Sequence, residues 1–168
     1  ANMMRDSGCS HVIVGHSERR SQYGETDKEI FRKVEAVLEH GMKAIMCVGE
    51  TLKSRQEGNA INYVTRQLDE VLNSRLSLEN LVIAYEPIWA IGSGKTPEIS
   101  EIEEIHEVIK KVLSKSLPQN HEVPVIYGGS VTPTNAEEVL GLEVVNGVLV
   151  GGASLNTNDF WEIVNAAR

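Results

Sequence analysis

The chain has 168 residues, 41% apolar and 24% charged, with two cysteines and a formal net charge of −8 at pH 7. Such a length fits one domain with a sizeable core, and the composition is that of a soluble globular protein. The acidic balance excludes a nucleic-acid partner, because phosphate backbones need a basic face, and no apolar run reaches the roughly eighteen residues of a membrane span.

The opening residues Ala1–Asp6 lack a basic stretch followed by an apolar one, so no secretory leader is expected. Cys9 and Cys47 have neither metal-ligand nor redox spacing. They suit a reducing cytoplasm, each as a small buried apolar residue.

Asn2–Gly8 reads as the end of a helix. Five apolar, β-branched runs then read as buried parallel strands: Val12–Val14, Ala44–Val48, Leu81–Ala84, Val123–Tyr127 and Val144–Val150. Helical patterns lie between them. Thr26 and Glu29 have capping-box spacing ahead of Ile30, Val34, Val37 and Leu38, and Gly41 is a stop. Ile61, Val64, Leu68, Val71 and Leu72 repeat the helical period, as do Ile102, Ile105, Ile109, Val112 and Leu113. Thr132-Pro133 is expected to open a short helix, and Phe160, Ile163, Val164 and Ala167 to line the last one. Strand and helix in alternation demand a parallel sheet with helical cover. Residues 1–168 form a single domain on this reading, with no linker or low-complexity segment.

The most informative stretch follows the third strand: Glu86, then Pro87, Ile88, Trp89, Ala90, Ile91, Gly92, Ser93, Gly94, Lys95, Thr96 and Pro97. A carboxylate at a strand's C-terminal tip stands where α/β proteins place their chemistry. The loop is stiff at both ends and glycine-rich between, which is how a hinged lid is built. Taken alone, the stretch is equally a βα loop that happens to hold Glu and Gly.

Four further segments remove that ambiguity: Gly15-His16-Ser17-Glu18-Arg19-Arg20, Cys47-Val48-Gly49-Glu50-Thr51, Tyr127-Gly128-Gly129-Ser130-Val131 and Val150-Gly151-Gly152-Ala153-Ser154-Leu155. With the lid, in this order and spacing, they resemble the triosephosphate isomerase family over the whole chain. Ser93 stands where the family more often has Thr. The resemblance implies a TIM (β/α)8-barrel fold, here an incomplete barrel of five parallel βα units, the family's strands four to eight, preceded by the tail of a helix. About 250 residues make eight units, so 168 hold about five. The family's first three strands are lacking, and with them the Asn-x-Lys pair of strand one. Five strands cannot close at the eight-strand diameter, so Val12–Val14 and Val144–Val150 should present open edges.

The implied reaction interconverts dihydroxyacetone phosphate and glyceraldehyde 3-phosphate, a step of glycolysis and gluconeogenesis, through an enediolate. It needs a base for a carbon-bound proton and an electrophile for the oxygen. Glu86 is the implied base and His16 the implied electrophile. The glutamate base and the neutral imidazole at a helix N-terminus are the family's own worked assignment, carried over by resemblance. The acidic net charge opposes an anionic substrate, so backbone N–H groups in glycine turns must bind the phosphate. The resemblance gives that work to Gly92, Ser130, Gly151 and Gly152. Tyr127 and Ser130 could latch a closed lid, Glu50 could hold Trp89 when it is open, and Ser17 and Glu18 follow the electrophile. Glu18 lies beside the strand-one lysine in the family and would lack that partner here. Lys95 belongs to the lid's far hinge. His11, His40, His106 and His121 read as surface or structural residues. No cofactor and no metal are implied.

The expected partners are a small phosphorylated triose and further copies of the chain, joined through a surface other than the family's usual dimer loop. The competing reading is a non-catalytic, self-associating barrel fragment that keeps the phosphate-binding motifs. Another phosphate-binding barrel enzyme is disfavoured by the joint specificity of the lid and the His-Ser-Glu-Arg-Arg segment.

Overall fold

In the computed structural model, residues 1–74, 76–91, 96–117 and 121–167 are described. The chain runs α1 (Asn2–Asp6), β1 (His11–Val14), α2 (Ser17–Tyr23), α3 (Asp27–Glu39), β2 (Lys43–Val48), α4 (Leu52–Gln56), α5 (Ala60–Leu72) and β3 (Leu81–Tyr85). A 3-10 turn (Ile88–Ala90), α6 (Ile99–Ser116), β4 (Val125–Tyr127), α7 (Ala136–Leu140), a second 3-10 turn (Gly152–Leu155) and α8 (Thr157–Ala166) follow. The strands form one parallel sheet in the order β1-β2-β3-β4.

Local signals explain the elements. The Thr26–Glu29 capping box closes in both directions at the start of α3. Ile30, Val34 and Val37 of α3, Val64, Leu68 and Val71 of α5, and Ile102, Ile105 and Ile109 of α6 are buried. They meet the sheet side chains Met46, Leu81, Ile83 and Val125 in one core. Each such side chain contributes about 1.5–3 kcal/mol when removed from water. Alternation along the strands turns Ile13, Ile45, Val82 and Ile126 to the other face. These are less shielded, and Ile13 on the edge strand β1 is 49% exposed.

Three sequence expectations shift. Strand β4 begins at Val125 rather than Val123, because Pro124 has no N–H to donate; its carbonyl still accepts from Ile83 N–H. Thr132-Pro133 forms a turn, and α7 starts at Ala136 after Asn135, whose side-chain oxygen takes the Thr132 N–H. The expected fifth strand, Val144–Val150, makes a single parallel bridge among the described residues, Tyr127 to Val148. The Asn146 side chain replaces a backbone acceptor for Val125 N–H, and among the described residues no strand pairs its outer side. In α8, Ile163 is buried, while Phe160 and Trp161 stay largely exposed.

Candidate active site

The strand tips place the predicted residues. Strand β1 ends at Val14, and Gly15, in the left-handed region at φ 70°, turns the chain so that His16 caps α2. The backbone N–H of Glu18 points at His16 Nδ1 at 3.3 Å. Because Nδ1 accepts, the proton of a neutral ring sits on Nε2. Nε2 lies 3.2 Å from Glu86 Oε1, a close approach without an aligned hydrogen bond.

Glu86 follows β3 and is only 2% exposed. Its Oε2 accepts the Ser17 N–H at 3.0 Å. Burial pushes its pKa above the usual carboxylate range, opposed by His16, by the Ser17 amide and by the Cys47 thiol. A carboxylate held this way is a stronger base than one in water.

His16 and Glu86 come from strands that are not neighbours, and they meet across the tip of β2 because that tip carries a glycine. A Cβ on Gly49 would stand 1.7 Å from the Glu86 carbonyl oxygen. Gly128 packs against the Glu86 side chain less tightly, its missing Cβ lying 3.0 Å from Cγ. His16 and Glu86 open onto a cavity of about 490 Å³ whose other walls are Ile91, Gly128 to Thr132 and Leu149 to Ala153. Ser130, Gly151 and Gly152 therefore share one cavity with the carboxylate and the imidazole. Cβ atoms built on Gly151 and Gly152 meet nothing within 4 Å. Gly92 and Lys95 lie outside the described residues.

Glu50 is fully buried beside the lid's first turn. Its Oε1 accepts from Trp89 Nε1 at 2.8 Å, Arg55 Nε at 2.8 Å and the Tyr85 hydroxyl at 3.2 Å. Tyr127 is buried behind the glycine turn; among the described residues its hydroxyl has no partner, and it fills the space where a Gly129 Cβ would be. Glu18 has its side chain in solvent.

The family model described as triosephosphate isomerase matches residues 1–167. The chain belongs to the triosephosphate isomerase family.

Curated relatives agree. A triosephosphate isomerase of Ruegeria sp. (strain TM1040) is 44% identical over 167 residues, covering 99% of this chain and 68% of the relative. That of Afipia carboxidovorans is 50% identical over 167 residues, covering 99% and 66%. That of Hydrogenovibrio crunogenus is 46% identical over 171 residues, covering 99% and 67%. The chain thus spans about two thirds of the length of these relatives. By family and by its relatives' names, the chemistry it is built around is that of an isomerase. Among the described residues no helix is long and apolar enough to cross a membrane.

Several supports of this site leave little trace in the sequence. Arg20 donates from Nε to the Gly15 carbonyl (2.9 Å), from one terminal nitrogen to Asp27 (2.6 Å) and from the other to the Cys47 carbonyl (3.1 Å). One planar fork thereby pins the tips of β1 and β2 to the start of α3. Gln67 accepts the Gly49 N–H at 2.8 Å. Burial opposes the charge of Arg55, but the hydrogen bonds and charge interactions with Glu50 and Tyr85 together outweigh this and raise its pKa. Cys47, read as a small apolar residue, is buried against Glu86, and burial followed by that carboxylate raises its thiol's pKa. The Arg-Arg in the second motif was the available signal for Arg20. The others act across long sequence separations and leave no local pattern.

Proposed function

We propose that this chain carries the reacting face of a triosephosphate isomerase that interconverts dihydroxyacetone phosphate and glyceraldehyde 3-phosphate. The observation that carries this reading is the buried Glu86 carboxylate, 3.2 Å from His16 Nε2, facing a cavity of about 490 Å³ walled by two glycine turns. Glu86 moves the carbon-bound proton, and His16 donates from Nε2 to the oxygen that becomes charged. Ser130, Gly151 and Gly152, with Gly92 of the lid, hold the phosphate through backbone N–H groups. Trp89 rests on Glu50 in the open lid, Tyr127 offers its hydroxyl to the closed one, and Ser17 and Glu18 hold the base and the electrophile through their amides. No cofactor takes part, and the setting is the cytoplasm.

The fold reading goes with it: residues 1–168 are one domain, five βα units of a barrel, with Val144–Val150 as a loosely paired fifth strand. Support comes from the four-strand parallel order and the bridge at Val148. The 168-residue sequence contains no Asn-x-Lys triplet. Losing one transition-state charge contact costs about 10²–10³ in rate, so the isolated polypeptide should turn over slowly. An isomerase assay with and without a polypeptide supplying the family's first strands tests this. Activity should rise on addition and disappear with Glu86→Gln. Turnover that survives Glu86→Gln, or no gain on addition, refutes the assignment.

The open β1 edge and half-exposed Ile13 favour a second reading, a non-catalytic self-associating unit. Sedimentation at micromolar concentration should show oligomers through a surface other than the family's dimer loop. A stable monomer removes that reading.

A further inference from the structure

His106, on α6, takes no part in the proposed reaction. It is fully buried, and among the described residues its Nε2 has no partner. An unpaired ring nitrogen in a dry core is unfavourable, and a Phe or Leu in the same space would avoid it. What the imidazole provides is a set of contacts to three elements at once. Its ring meets Tyr85 edge-on at 5.8 Å and 82°, and Tyr127 at 6.4 Å. Its Nδ1 lies 3.3 Å from the Val144 carbonyl. A carbonyl only accepts, so Nδ1 carries the proton and Nε2 is bare.

Val144 begins the stretch that leads to Gly151 and Gly152. That stretch has no regular ladder. Asn146 N–H donates to Val125, Tyr127 N–H to Gly147 and Leu149 N–H to Tyr127, all between this stretch and β4. Bonds to one strand make a line about which the stretch can roll. A bond to α6, off that line, fixes the roll. We infer that His106 is a positioning residue that orients the glycine turn at 151–152 through the Val144 carbonyl; its phosphate arm rests on the proposed role of that turn.

Two variants of the full 168-residue chain test this. His106→Phe keeps a ring against the tyrosines and loses the donor. His106→Asn loses the ring, but its Nδ2 stands the same number of bonds from the backbone as Nδ1 and keeps the donor. A roll tilts the Asn146 and Leu149 N–H groups out of line with their β4 acceptors, so amide hydrogen exchange there reads it, and titration with inorganic phosphate, followed at the Gly151 and Gly152 amides, reads its consequence.

His106→Phe should speed exchange at Asn146 and Leu149 about tenfold and weaken phosphate about tenfold, the scale of one hydrogen bond. Exchange at Ile83 should stay unchanged. His106→Asn should restore both. A merely structural role would loosen Ile83 too and would not be rescued by Asn. Unchanged exchange at Asn146 and Leu149 in His106→Phe, or equal loss in both variants, overturns the inference. If His106→Phe does not fold, His106→Asn decides. Parent-like exchange at Leu149 supports the tether, and exchange tenfold faster overturns it. If the exchange results hold but phosphate leaves Gly151 and Gly152 unmoved in the parent protein, the tether stands and the phosphate reading falls.

Discussion

Gly49→Ala is the smallest change that tests how the site is assembled. The added Cβ would lie 1.7 Å from the Glu86 carbonyl oxygen and 2.6 Å from its carbon. A carbon–oxygen contact settles at about 3.3 Å or more, so the Glu86 backbone must retreat by roughly 1.5 Å. That retreat strips the Glu86 N–H from the Val48 carbonyl, now at 2.7 Å, and strains the Ile88 N–H bond to Glu50 at 3.2 Å. Overpacking costs about 1–3 kcal/mol and a broken buried hydrogen bond about 1–3 more. The expected loss is therefore about 2–6 kcal/mol. In urea unfolding followed by far-UV circular dichroism, at about 2 kcal/mol/M, the midpoint should fall by about 1–3 M. Turnover in the complemented isomerase should fall about 100-fold, because the base is displaced. Gly152→Ala is the control for stability, since its methyl meets nothing within 4 Å. A Gly49→Ala midpoint equal to that of the control would refute the claim that an absent side chain lets His16 and Glu86 meet.

Other outcomes follow from the buried charges and caps. Burial and the Lys110 charge lower the His106 pKa, against the opposing Val144 bond, to about 4 from the roughly 6.5 of a free imidazole, with Tyr85 and Tyr127 as the facing ionisable groups. The unfolded chain takes up that proton first, so the stability from neutral His106 is complete above pH 6.5 and lost as pH falls toward 4. This difference, about 3 kcal/mol, should be missing from the pH–stability curve of His106→Asn. Arg55→Met leaves the buried Glu50 carboxylate without its cation and should cost about 3 kcal/mol, with a shift in Trp89 fluorescence. Adding Glu50→Gln should recover part of that loss, and no recovery would mean that Arg55 acts through packing alone. Thr26→Ala removes the side-chain half of the capping box, leaving the backbone N–H of residue 26 to donate to Glu29, and should lower stability by about 1 kcal/mol in thermal unfolding.

The strands β1 to β3 and the helices α3, α5 and α6 were legible because each is a periodic run with its own stop or cap, as at Thr26, Glu29 and Gly41. His16 and Glu86 were legible because a strand end meets a recognisable motif at each. The stretch Val144–Val150 looked like a strand because its apolar residues fit one. Whether it pairs depends on a neighbour along its outer side, and no residue within it encodes that. Arg55, Gln67 and His106 carry no local mark of their roles in the sequence, and Arg20 stands out only as part of its motif. Their partners lie up to 46 residues away, as Glu101 does from Arg55, and only the closed structure brings them together.

The Arg20 fork has a consequence for how this architecture can vary. Because one guanidinium levels the upper ends of β1 and β2 against Asp27, the lower ends are relieved of that task. The turn around Gly41, between α3 and β2, can change in length or sequence while the imidazole keeps its height above the sheet. Drift is thereby confined to the floor of the molecule, and grafting a new segment there should leave the reacting pair in register.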